Sequence, residues 1–187
     1  MLSPPLSKPT TSTKSPSNGD ATPPTNRKRQ PQQYHTVTAL TTEEFITWAN
    51  RLANLPWPMT LEEFTTTATK DFGWSTTEGK QRFAAIFSYC SEYIFVGKNS
   101  DNLVTRCIWA MARVEKGERN QAFRLNDDFV TYAEAGEKEW GGVFKTVAGK
   151  SPLRAWRHET ESVFELTRTP LGINFAFYSP QGARYYE

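Results

Sequence analysis

The sequence predicts an α+β domain: an antiparallel sheet of four to five strands carrying an N-terminal helix pair and one long helix, in the order α-α-β-β-β-α-β-β. Three observations lead there. Leu103 to Val114, LVTRCIWAMARV, is a run without Gly or Pro whose apolar residues fall on both alternating sets of positions, as in a strand at the middle of a covered sheet. Two capping boxes precede it, and the elements show no βαβ alternation that would require a parallel sheet.

Up to about residue 40 the chain is rich in Pro, Ser, Thr, Asn and Gln and nearly empty of large apolar residues. Such a segment cannot offset its ordering entropy by burial, and it reads as a disordered tail with Ser-Pro, Thr-Pro and Lys-Pro steps. It holds Lys8, Lys14, Arg27, Lys28 and Arg29 against Asp20, a charge of +4, so residues 41–187 carry −2 of the overall +2. Those 147 residues read as a single domain, large enough to bury a core without disulfide or metal staples.

Order is expected from Thr41. Thr41-x-x-Glu44 opens a helix whose Phe45, Trp48, Ala49 and Leu52 recur at i, i+3, i+4 and i+7, with Pro56 as its end. Pro56-Trp57-Pro58 makes a stiff corner, in which Trp57 either plugs the turn or presents an anchor for a partner. Thr60-x-x-Glu63 opens a second helix with Leu61, Phe64, Ala68 and Phe72 on one face and Gly73 as a left-handed stop. After a polar loop, Ser75 to Arg82, the runs 83–87 and 92–96 read as strands, and GKNSDN turns the chain into the central strand. One face of that strand would hold Leu103, Cys107, Trp109 and Met111, the other Val104, Ile108, Ala110, Ala112 and Val114. From an N-cap at Asn126 or Asp127, a helix stripe follows through Phe129, Tyr132, Ala133, Trp140, Val143, Phe144 and Val147, with a kink or early end near Gly141. Residues 162–168 and 173–178 close the sheet as a hairpin about Thr169-Pro170-Leu171-Gly172.

Catalytic patterns are scarce. His35 lies in the tail and His158 in the segment RAWRHETES, which reads as a loop; no nucleophile elbow accompanies them. Phosphate-cradling glycine motifs, HExxH and EF-hand loops are missing from the sequence, so no cofactor and no metal is expected. Cys90 and Cys107 read as buried thiols of a reducing compartment, with a cross-strand disulfide as the alternative. The acidic pairs Glu43-Glu44, Glu62-Glu63 and Asp127-Asp128 are expected in first turns of helices, where the dipole favours them. Lys150, Arg154, Arg157 and His158 beside Trp156 make a small basic loop that could receive a phosphate or an acidic partner, the alternative being a solvated loop whose Trp156 tucks into the sheet. No run reaches the roughly 20 apolar residues of a membrane span, and the chain opens without a signal peptide, so a cytoplasmic protein is expected.

LANLPWPMTLEEFTTTATKDFGW, VFKTVAGKSPLRAW and VFELTRTPLGINFAFYSP together resemble small uncharacterised bacterial cytosolic domains, actinobacterial ones among them, found near toxin or type VII secretion genes. The resemblance spans about residues 41 to 180. It implies a non-enzymatic immunity protein that neutralises a cognate toxin by covering its active cleft, and it carries over no catalytic residues. The residues expected to meet that protein partner are Trp57, Trp74, Glu134, Glu137, Glu139, Arg154, Trp156 and Arg157, in a monomer or weak dimer. The alternatives are a chaperone for a secreted client and a nucleic-acid module, including a viral coat-type protein, that uses the basic tail. The slightly acidic folded part speaks against duplex nucleic acid as the partner.

Overall fold

Both capping boxes form. In this computed structural model the Thr41 hydroxyl accepts from the Glu44 amide at 3.1 Å while the Glu44 carboxylate accepts from the Thr41 amide at 2.9 Å. Thr60 and Glu63 repeat the exchange. They start α1 (Thr42–Ala53) and α2 (Leu61–Lys70), with both acidic pairs in the first turns. The structure describes residues 38–77, 81–85, 91, 93–114 and 121–186. The tail with Arg27-Lys28-Arg29 and His35, residues 86–87 of the expected strand, and Cys90 lie outside the described residues.

The sheet is larger than the four to five strands expected. Eight strands run β2 (Ser75–Thr76), β3 (Arg82–Ala84), β4 (Ile94–Lys98), β5 (Val104–Arg113), β9 (Gly172–Tyr178), β8 (Val163–Thr169), β7 (Leu153–Arg157) and β6 (Lys145–Val147), and a ninth, β1 (Thr38–Ala39), pairs with the end of β5. Every pairing is antiparallel. Of the four strands beyond those expected, β1, β2 and β6 are only two or three residues long, too short for an alternating pattern to emerge, and the fourth is β7; β3 is the start of the strand expected over 83–87. Two of the four correct specific readings: the polar stretch 75–82 opens with β2, which pairs with β3, and β1 with Leu40 precedes Thr41.

Residues 153–157 form a strand where a loop was expected. Their alternation sends Trp156 to the face that packs on the helices and Arg157 to the opposite one, so the expected basic loop is divided between two faces. The final hairpin turns as read, with Leu171 N–H donating to the Thr169 hydroxyl.

β5 departs from strict alternation at two bulges. Its register slips against β4 between Gly97 and Lys98, and against β9 between Ala110 and Ala112. An extra residue flips the faces that follow, so Val104 and Ala112 join Cys107, Trp109 and Met111 in the core instead of facing the other way with Ile108 and Ala110.

The long helix, α3, runs Gln121–Trp140. It starts before the expected cap, which places Asp127-Asp128 in its interior, and it stops at Gly141, whose φ of +83° suits glycine. Phe144 and Val147 belong to the edge strand region, not to the helix. Leu125, Phe129, Tyr132, Ala133 and Gly136 form the buried face, set down on β7, β8 and β9.

One aromatic core joins the three helices to the inner face of the sheet. Phe45 meets Phe175 edge-on at 5.2 Å, Trp140 lies 4.3 Å from Phe164, and Phe64 meets Phe83 at 5.8 Å. The outer face is covered in part by α4 (Pro180–Ala183), whose Ala183 packs with Ala155 and Val163 and with partly buried Tyr178 and Tyr186.

Candidate functional site

The eight residues expected to meet a partner do not form one patch. Trp74 is 2% exposed and Trp156 0%; both are core, and this corrects the reading that gave them a partner contact. Trp57 is half-buried, its indole N–H donates to the Leu52 carbonyl at 2.8 Å, and its ring stacks on Phe64. It plugs the helical corner. Arg154 is half-buried opposite Leu166, whereas Arg157 is exposed on the outer face with its guanidinium over the Phe144 ring at 5.0 Å.

Glu139 has a structural task. Its carboxylate accepts from Asn50 Nδ2 at 2.8 Å, and the Asn50 carbonyl oxygen accepts from Trp140 Nε1 at 2.8 Å. That relay ties the end of α3 to α1.

Glu134 and Glu137 remain, and α3 places them in a longer stripe. Phe123, Asp127, Val130, Glu134 and Glu137 follow at i, i+4, i+7, i+11 and i+14, all exposed, so they lie along one side of the helix. At 1.5 Å per residue the stripe is about 21 Å long. Phe123 is 71% exposed and Val130 52%. Two apolar side chains are thus set among three carboxylates on a helix that is firmly held from below. The Tyr132 hydroxyl donates to the Leu40 carbonyl, and a Cβ on Gly136 would stand 2.9 Å from Trp156. The sequence held a signal for this stripe: Phe123 and Val130 fall out of phase with the buried positions 125, 129, 132 and 136.

His158 sits in a hydrogen-bonded turn. Nδ1 lies 2.9 Å from Thr160 Oγ1 and 3.3 Å from the Thr160 amide nitrogen, and Thr160 Oγ1 donates to Ser162 Oγ. Burial lowers the imidazole pKa below its ordinary value, with the Glu159 and Glu139 carboxylates opposing. Thr160 and the backbone use this side chain to close the turn between β7 and β8.

A polar cleft of about 600 Å³ opens between α2 and the β4–β5 turn. Its Thr65 and Thr66 hydroxyls donate to Leu61 and Glu62 carbonyls one turn back, and Lys98 donates to Asn102. These hydroxyls and the Lys98–Asn102 pair serve the fold. Among the described residues no group of three His, Cys, Asp or Glu could hold a metal ion, and no helix is long and apolar enough to cross a membrane. Cys107 is a buried free thiol.

Comparison with curated proteins and with solved structures finds no match. A family model described as a family of unknown function, DUF6301, matches residues 43–179. That span runs from the first turn of α1 to the end of β9 and takes in α3 with its exposed stripe, so the chain belongs to the DUF6301 family.

Proposed function

We propose that this protein is a non-enzymatic binding module whose protein partner docks on the solvent face of α3, and that the partner is a toxin whose active cleft the helix covers. The observation that carries the reading is the stripe of Phe123 and Val130 among Asp127, Glu134 and Glu137. Apolar side chains ringed by charge are the makings of an interface centre, in which the aromatic supplies the contact area and the rim excludes water. Three carboxylates favour a basic partner and hasten its encounter. A helix pinned by Tyr132, Asn50 and the close seat of Gly136 presents that stripe with little ordering cost on binding.

The test pairs the wild-type chain with Phe123→Ser and Glu137→Lys as baits in affinity capture from the native organism, followed by titration of the recovered protein. A single folded partner, held by the wild type and inactivated one to one, is expected. Phe123→Ser should weaken it by about 2 kcal/mol, roughly 30-fold, and Glu137→Lys should slow association most at low salt. Equal capture by all three baits, or capture of an unfolded client only, overturns the assignment to this face.

A further inference from the structure

The charges of the fold are sorted by layer. α1, α2 and α3 carry net charges of −1, −1 and −3, whereas the nine strands hold eight Lys or Arg and a single carboxylate, Glu165. Strand alternation brings several of these cations to the outer face, and there they keep company with rings. The Arg82 guanidinium lies 5.3 Å from the Phe95 centroid, Arg106 is paired with Tyr178 across the β5–β9 ladder, and the Lys145 ammonium stands 4.9 Å over Tyr186.

Between Arg82 and Arg106 the face is recessed. A cavity of about 340 Å³ is bounded by Gln81, Arg82, Phe95, Gly97, Arg106 and Ile108. Gly97 makes the room. A Cβ there would meet Arg106 Cγ at 2.8 Å, so the missing side chain lets the arginine stem lie flat on the strand. Phe95, in register with Arg82 on one side and Ile108 on the other, is 47% exposed. The two arginines stand two strands apart, about 10 Å across the sheet and two residues apart along it: Arg82 lies beside the half-exposed Phe95 ring, and Arg106, also hydrogen-bonded to the Tyr178 side chain, lies diagonally beyond it.

We propose that this recess binds single-stranded nucleic acid, a base entering against Phe95 while Arg82 and Arg106 take the flanking phosphates. Charge, ring and charge at that spacing match a ligand in which anionic groups alternate with flat rings, and an unpaired strand offers its bases for stacking on an aromatic side chain or a guanidinium plane. A duplex keeps its bases stacked away from such a ring. An acidic polypeptide would satisfy the arginines and have no use for the exposed phenyl. The site lies on the sheet layer and is independent of the α3 stripe.

The experiment uses the full chain and fluorescein-labelled 16-nucleotide oligouridylate, the duplex of equal length, and polyglutamate as competitor, followed by anisotropy from 50 to 200 mM salt. Single strands should bind in preference to duplex. Phe95→Ala should weaken binding about tenfold, and Phe95→Tyr should retain it. Arg82→Ser with Arg106→Ser should flatten the slope of log affinity against log salt by about 1.4, two phosphate contacts' worth. Phe123→Ser should leave all of this unchanged. A loss confined to a variant with Arg27, Lys28 and Arg29 changed to Ala, indifference to Phe95→Ala, or equal displacement by polyglutamate overturns the proposal. The exposed arginine pair keeps the test decisive if Phe95→Ala lowers the melting temperature.

Discussion

Gly136 shows how one missing methyl sets the distance between two layers. It is buried within α3, one turn before its end, where glycine inside a helix ordinarily costs about 1 kcal/mol against alanine, yet a Cβ there would stand 2.9 Å from Trp156 and 3.0 Å from Trp140. Neither indole has room to retreat: Trp156 is 0% exposed, and Trp140 is held by its bond to Asn50. Gly136→Ala is therefore expected to destabilise by about 1–3 kcal/mol despite its better propensity, measured by urea unfolding. Gly142→Ala is the control, since nothing lies within 4 Å of its Cβ and its φ is not positive. It should be near neutral. The residues that resisted reading from sequence are of this kind. Trp156 and Trp74 look like any exposed tryptophan until tertiary packing buries them, and Gly136 looks like a weak point until its neighbour across the layer is known.

At the scale of elements, what could be read followed how much of each signal is local. α1 and α2 were legible because a capping box and an apolar stripe sit within a dozen residues. The central strand and the closing hairpin were legible because their apolar runs are long. β7 was not, because Arg154 and Arg157 gave LRAWR the look of a polar loop, and its partners Val163–Thr169 follow only after a turn. The start of α3 was misplaced because Asn126 and Asp127 are good caps in isolation, although Leu125, four residues before Phe129, already continued the buried stripe. β1 was missed because two residues have no period. It matters nonetheless. Leu40, just after it, is 3% exposed, its amide donates to Met111 O at 2.9 Å, and its carbonyl accepts from Tyr132. Thr38 and Ala39 pair with Arg113 and Ala112. A chain starting at residue 41 should accordingly be less stable than one starting at residue 38 by about 2–5 kcal/mol, the range for losing a buried leucine. Thermal and urea melts of the two fragments compare them directly, and equal stability would show that β1 and Leu40 merely rest on the sheet.

For the whole molecule, the functional surfaces were less legible than the fold because they are defined by what the core leaves outside. The acidic stripe needed the phase of α3, and the basic recess needed the register that brings Arg82, Phe95 and Arg106 together from three strands. The titratable groups whose protonation the fold shifts, by contrast, set a property that no single element owns, the dependence of stability on pH. His158 is held below its ordinary pKa, chiefly by burial. The unfolded ring takes up a proton near pH ~6.5 while the folded one resists, so stability is full above that pH and falls as pH drops through the folded value. The carboxyls of Glu43 and Glu63 are held low, first by backbone amide hydrogen bonds, and their contribution is lost only further into the acid range. On the alkaline side, burial pushes up the Cys107 thiol and the Tyr186 phenol, the latter also donating to Glu165 at 2.6 Å. Unfolded thiols and phenols ionise near pH ~8.5 and ~10 while these stay protonated, so stability falls as pH rises past those values. A plateau between about pH 7 and 8.5 is the expected result. Urea unfolding from pH 5.5 to 10.5 tests it. His158→Gln should remove the fall between pH 7 and 5.5, and Tyr186→Phe should flatten the arm above pH 10. An acid slope that survives in His158→Gln would place the responsible proton on another group.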